Sequence, residues 1–143
     1  MCYITLAQDS PEEYLDEHNK ARAEVGVGPL KWNETIAAYA LKYAKLMVEK
    51  NCDVAPSRGP YGESQALGVE MSGADAVTLW LSEKPNYELK SNKCVFGECS
   101  HYTQMVWRNS TDLGCASLKC PTVGVFIICN YSPPGNIKGE TPY

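Results

Sequence analysis

The sequence contains two histidines, His18 and His101, and they are the natural starting point for any acid–base or metal chemistry. Glu63 closes the tight run Pro60-Tyr-Gly-Glu63, and Glu83 stands three residues after Trp80. At helical spacing Glu83 and Trp80 share a face. If His101, Glu63 and Glu83 converge, one imidazole and two carboxylates meet, which is the donor set of a weak metal site or of a general acid–base pair. The alternative is a hydrogen-bonded polar cluster that orders loops. No Gly-x-Ser-x-Gly elbow or comparable setting for a nucleophile appears. His18, Asn19 and Arg22 form a second constellation, with His18 and Arg22 one helical turn apart. Their types suit hydrogen bonding to the buried backbone of another element better than a site lining.

Seven cysteines, Cys2, Cys52, Cys94, Cys99, Cys115, Cys120 and Cys129, bound the compartment. No pair has Cys-x-x-Cys spacing, and no second histidine pair completes a zinc finger. The pattern reads as a disulfide framework in a secreted chain. Residues 1–7 are apolar, end in Ala7, and read as the remnant of a secretory signal peptide. Cleavage after Ala7 removes Cys2 and leaves six cysteines, which allow fifteen connectivities.

The elements that must position these residues follow from local signals. Ser10-Pro-Glu-Glu13 is a helix start, and Tyr14, Leu15, His18, Ala21 and Val25 continue at helical spacing until Gly26, Gly28 and Pro29. Asn33 caps a second helix whose stripe Ile36, Ala37, Ala40, Leu41, Ala44, Met47 and Val48 is wide enough to be well buried. A loop rich in Gly, Pro and Ser runs from Asp53 to Gly62. Ser72-Gly-Ala-Asp75 opens a third helix carrying Val77, Trp80 and Leu81. Thr103-Gln-Met-Val-Trp107 mixes β-formers and reads as core strand. Leu113–Lys119 and the continuous apolar run Val123–Cys129 read as two further strands, the second buried on both faces. The segment Pro133–Tyr143 is rich in Pro and Gly and reads as an extended, accessible surface tail. Helices first and strands last predict an α+β domain with a mainly antiparallel sheet.

The chain is 143 residues long, with 13 basic and 17 acidic side chains for a formal net charge of −4. That length fits one domain. The acidic balance speaks against non-specific nucleic-acid binding, which needs a basic surface. No apolar run reaches the ~20 residues of a transmembrane helix.

Taken in order, His18-Asn-Lys-Ala-Arg22, Gly59-Pro-Tyr-Gly-Glu63, Trp80-Leu-Ser-Glu83, His101-Tyr-Thr-Gln-Met-Val-Trp107-Arg and Cys129-Asn-Tyr-Ser-Pro-Pro-Gly-Asn136 resemble the CAP superfamily. Within it the resemblance is to the plant pathogenesis-related protein 1 group, over essentially the whole chain after Gln8, with residues 8–143 as a single domain. The resemblance implies a three-layer α-β-α sandwich and a secreted defence protein of the apoplast, with the vacuole as an alternative. It also implies the pairing Cys52–Cys120, Cys94–Cys99 and Cys115–Cys129, and nothing in it demands assembly beyond a monomer.

The family cleft carries two histidines and two glutamates. Glu63, Glu83 and His101 match three of those positions, and Pro56 stands where the other histidine belongs. Proline offers no side-chain donor or acceptor. Ser64 replaces the usual Asn after Gly-Glu, and Ser100 replaces the Gly before His101. The expectation is therefore no cofactor, no catalytic residue, and zinc held weakly at most through His101, Glu63 and Glu83. The foremost functional reading is capture of a sterol or other lipid by a loop around Tyr102, Gln104, Met105 and Trp107, since such ligands are held mainly by apolar burial. A second is release of Pro133–Tyr143 as an immune peptide by a protease, although the residue before the cut is Ser132 rather than the family's Asp. A metal-assisted hydrolase comes last because of Pro56. Glycosylation sequons occur at Asn33, Asn109 and Asn130; Asn130 is expected to be buried and Asn33 exposed.

Overall fold

The computed structural model describes residues 9–143, so the signal-peptide reading of residues 1–7 lies outside the described residues. Helix α1 spans Pro11–Glu24, with Pro11 in the first turn and Glu12 and Glu13 beside its N-terminus. Ser10 occupies the cap position with extended backbone, but its side chain makes no capping bond. Gly26, at φ 72°, ends the helix in the left-handed region that glycine enters without steric penalty. A two-residue strand β1 (Lys31–Trp32) leads into α2 (Glu34–Glu49). Asn33 caps α2 by accepting from the N–H groups of Thr35 and Ile36 at 2.9 and 3.2 Å. Strand β2 (Gly62–Gly68) precedes α3 (Gly73–Leu81), which opens on a reciprocal capping box between Ser72 and Asp75. A single 3₁₀ turn at Lys84–Asn86 leads to the small hairpin β3 (Tyr87–Glu88) and β4 (Lys93–Cys94). Then come α4 (Ser100–Met105), β5 (Asp112–Lys119) and β6 (Val125–Ser132).

The main sheet has the order β1-β5-β6-β2. β1 pairs with β5 in parallel, and the other two pairings are antiparallel. Alternation along the two central strands assigns the layers. Leu113 and Cys115 of β5, with Ile127, Cys129 and Tyr131 of β6, face a core shared with α1, α3 and α4. Ala116, Phe126 and Ile128 point the other way, onto Ala40, Ala44 and Met47 of α2. Both faces of the sheet are thus covered, giving helices on either side of a mainly antiparallel sheet. Burying a branched or aromatic side chain such as Ile127 or Phe126 contributes about 1.5–3 kcal/mol. Gly114 is where α2 comes closest: a Cβ there would sit 2.2 Å from the Ala37 nitrogen.

Three disulfides staple the layers: Cys52–Cys120, Cys94–Cys99 and Cys115–Cys129. The first closes the longest loop, with partners 68 residues apart in sequence. Cys115 and Cys129 lie directly opposite each other on β5 and β6.

Two local expectations are corrected. Thr103–Trp107 is not a strand: Ser100–Met105 is helical, because carboxylates from outside the segment satisfy the N–H groups of its first turn. Residues 133–143 do form a tail without helix or strand, but it is not loose. Its backbone and side chains are hydrogen-bonded to α4 and to the turn that follows. Of the three sequons, Asn130 is buried and Asn33 is half-buried and engaged in its cap, whereas Asn109 is the exposed one.

Candidate functional site

His18 is fully buried between α1 and β6. One ring nitrogen, Nδ1, lies 2.7 Å from the Tyr14 carbonyl, and Nε2 lies 2.6 Å from the Tyr131 hydroxyl. Nδ1–H therefore donates to Tyr14 and Nε2 accepts from Tyr131. Burial is the main reason its pKa falls to about 4, with the Arg22 charge adding to the fall. Asn19 spans Leu30, accepting from its N–H at 2.7 Å and donating to its carbonyl at 3.2 Å. Arg22 donates to four carbonyls: Gly28 at 2.7 Å, Met105 at 3.0 Å, Trp107 at 2.9 Å and Ser110 at 2.8 Å. Burial lowers its pKa to about 10, still far above neutrality. This constellation is a structural brace, with every polar group directed at backbone or at Tyr131.

The second constellation opens to solvent. A cleft of about 300 Å³ is lined by Val54, Ala55, Pro56, Glu63, Gln65 and His101. Glu63 is not in a turn but on β2, opposite Asn130 of β6. Its carboxylate accepts from the Ser57 N–H at 3.0 Å, the Ser57 hydroxyl, Gln65 Nε2 at 3.0 Å and Asn130 Nδ2 at 3.1 Å. Gln65 Nε2 also reaches the Ala55 carbonyl at 2.9 Å, and the Tyr43 hydroxyl donates to that same carbonyl. The segment around Pro56 is thus tied to β2 through Gln65 and Ser57.

Glu83 and His101 do meet. His101 Nδ1 lies 2.7 Å from Glu83 Oε2, and the imidazole stacks on Trp80 at 6.2 Å between ring centres. Glu83 Oε1 accepts from the N–H groups of His101 at 3.0 Å and Tyr102 at 3.1 Å. Glu98 accepts from the Ser100 N–H at 2.7 Å. Hydrogen bonds from Ser100, side chain first and backbone second, hold the Glu98 carboxyl below its ordinary value. Two carboxylates therefore cap the first turn of α4. Glu98 is the residue that sequence reasoning missed. Its position five residues before Thr103 carries no signal until that segment is known to be helical.

The metal implied by the family finds a poor fit. Glu63, Glu83 and His101 do not form one ligand set: Glu83, Glu98 and His101 have donor atoms within 4.8 Å of one another, without Glu63. Glu63 already accepts from four donors, Glu83 from three, and Pro56 supplies none. Two of the family's four donors are lost to the cleft, Glu63 through its protein hydrogen bonds and the histidine through Pro56, and no step is derived through a metal.

The residues expected to form a lipid-binding loop lie elsewhere. Tyr102, Gln104, Met105 and Trp107 are 1%, 1%, 0% and 4% exposed, on α4 and the turn after it. Tyr102 and Met105 belong to the inner core, while Gln104 and Trp107 lie against Gly135 of the tail.

Comparison with known proteins matches this architecture. The profile of the CAP family, described as the cysteine-rich secretory protein family, matches residues 15–131. The chain is 51% identical to a pathogenesis-related protein 1 of Arabidopsis thaliana, over 96% of this chain and 84% of the relative. It is 49% identical to pathogenesis-related protein 1A of Nicotiana tabacum, over 96% and 83%. Among solved structures, venom allergen-like protein 4 of Schistosoma mansoni is 31% identical with a TM-score of 0.70, covering 92% of this chain and 90% of its own. A structure named NaASP2 with Zn2+ shares the fold at 23% identity and a TM-score of 0.75, covering 92% and 83%. The chain belongs to the CAP family, as a member of its plant pathogenesis-related protein 1 type. Its helices and mainly antiparallel sheet are those of that fold. Among the described residues, no helix is long and apolar enough to cross a membrane.

Proposed function

We propose that this pathogenesis-related 1 type protein is a non-enzymatic defence protein of the apoplast that acts by capturing a sterol or similar lipid. The observation that carries the reading is the state of the cleft carboxylates. Glu63 accepts from four donors and Glu83 holds both His101 and the start of α4. Both carboxylates are engaged in holding the protein's own backbone and side chains. What remains of the cleft is an apolar wall, Val54-Ala-Pro56, with a few polar groups beside it, at the small end of the range for small-molecule pockets. Capture by apolar burial asks for nothing more.

The test is equilibrium titration of the folded, disulfide-intact protein with a labelled sterol and an unlabelled competitor. Saturable, competed binding at micromolar concentration is expected. Absence of binding by a folded sample, or hydrolysis of a test substrate that Glu63→Gln abolishes, would overturn the reading.

Release of Pro133–Tyr143 as a signal draws less support. Ser132, just before the cut, ends β6 opposite Asp112, and its carbonyl accepts from the Thr111 N–H at 2.9 Å. A protease would have to open the end of a strand before cutting there.

A further inference from the structure

We propose that Asn109 carries an N-linked oligosaccharide and that Asn33 and Asn130, in the other two sequons, do not. The inference rests on the apoplast reading, because this modification is made in the secretory pathway. Three observations carry it.

The first is how the turn between α4 and β5 presents its sequon, Asn109-Ser110-Thr111. Asn109 and Thr111 are exposed, whereas Ser110 between them is fully buried. Ser110 points inward because its hydroxyl donates to the Pro133 carbonyl at 2.7 Å and accepts from Gln104 Nε2 at 3.1 Å. Its N–H donates to the Trp107 carbonyl at 3.1 Å, and the Thr111 N–H donates to the Ser132 carbonyl at 2.9 Å. The backbone is pinned on its inner side, so the two side chains that define the sequon stand outward. Among the described residues, nothing hydrogen-bonds the Asn109 side chain. A sugar on its amide nitrogen displaces no contact of the fold.

The second is the state of the other two sequons. Asn130 is fully buried on β6, and its Nδ2 donates to the Gly62 carbonyl at 3.3 Å and to Glu63 at 3.1 Å. An oligosaccharide is bulky and hydrated, so that nitrogen cannot hold one in the native fold. Asn33 is half-buried and engaged at both ends of its amide. Its Oδ1 accepts from the first N–H groups of α2, and its Nδ2 donates to Asp112 Oδ2 at 2.9 Å. A sugar on that nitrogen would crowd Asp112 and disturb the cap.

The third is the disulfide framework. Three bridges place the folding chain in an oxidising compartment, the lumen in which asparagine is glycosylated. Transfer precedes completion of the fold. The motif therefore decides which asparagines are offered, and the fold decides which products reach the native state. The donor is an oligosaccharide linked to dolichyl diphosphate. Asn109 Nδ2 attacks C1 of the first sugar, the N–C1 bond forms and the C1–O bond breaks. Dolichyl diphosphate leaves, and one amide proton is given up. None of the residues lining the cleft belongs to this turn.

The experiment directs the full chain through plant cells behind an appended secretion leader, as wild type, Asn109→Gln, Thr111→Ala, Thr111→Ser and Asn33→Gln. Secreted protein is read by intact mass and by glycopeptide sequencing, with urea unfolding as the fold control. Wild type, Thr111→Ser and Asn33→Gln are expected to carry one oligosaccharide, mapped to Asn109. Asn109→Gln and Thr111→Ala are expected to carry none and to remain folded. Folded wild type secreted at the bare polypeptide mass would overturn the proposal, as would a glycan that survives Asn109→Gln. The natural protein from plant tissue is then mapped in the same way. A natural protein found in extracellular fluid without the glycan would overturn the glycan and leave the apoplast reading standing. A natural protein found only inside the cell and unmodified, with the leader-directed chain glycosylated, would overturn both.

Discussion

At the N-terminal end of α4, Glu83 and Glu98 accept from three backbone N–H groups at the edge of an open cleft. At its C-terminal end, Arg22 donates to the carbonyls of Met105, Trp107 and Ser110 with 1% of its surface exposed. Negative charge at a helix start and positive charge near its end both suit the helix dipole. The two ends differ in solvent. Water can replace the carboxylates at the first, and nothing replaces the guanidinium at the second. The first cluster should therefore tolerate substitution better than the second, which holds together α1, α4 and the turn before β5. The six-residue α4 is too short to persist alone, so its existence depends on these two anchors.

The largest effect should come from the buried end. Arg22→Met leaves four carbonyls without their charged donor and should cost about 3–5 kcal/mol in urea unfolding at pH 7. A loss below about 1 kcal/mol would mean water reaches these carbonyls, and the contrast between the ends would collapse.

His18 sharpens the same point through pH. Its folded pKa is about 4 against an ordinary 6.5, so the unfolded chain binds the proton first as pH falls. The contribution is intact above pH 6.5 and is lost progressively as pH falls toward 4, by roughly 3 kcal/mol in all. His18→Gln should flatten the stability profile over that window. An equally steep profile in the variant would assign the acid sensitivity to other groups.

The exposed end should give less. Glu83→Gln keeps one acceptor but loses the charge-assisted bonds to α4 and His101, for about 1–2 kcal/mol. Glu98→Gln, farther out in water, should cost about 0.5 kcal/mol and less at high salt. If Glu98→Gln matched Arg22→Met, solvent exposure would not be what separates the ends. Calorimetric titration with zinc should find no tight site, whereas micromolar affinity lost in His101→Ala would restore a metal role to the cleft.

Much of this was legible beforehand, for reasons visible in particular residues. Asn33 and Ser72 start helices through local bonds that need no tertiary context. The apolar run of β6 is buried on both faces, as its composition requires. Pairing within the cleft was only half legible. Glu83 and His101 meet, but Glu63 turns to Ser57, Gln65 and Asn130, because its β2 register points it there. Two features were not legible. Thr103–Trp107 reads as strand by local preference, and the start of the helix that takes in its first half is held by Glu83, remote in sequence, together with the nearby Glu98. The tail's composition suggests a free segment, yet its Gly135 and Asn136 fit a surface that forms only when α4 does.

The measurement that bears most directly on the central claim is sterol titration of the full, disulfide-intact chain before and after removal of divalent metal by a chelator, in wild type and Glu63→Gln. The account predicts saturable binding with the same affinity in all four samples, because neither a metal nor a free carboxylate takes part. Binding that vanishes on chelation or with Glu63→Gln would contradict it and return the cleft to chemistry.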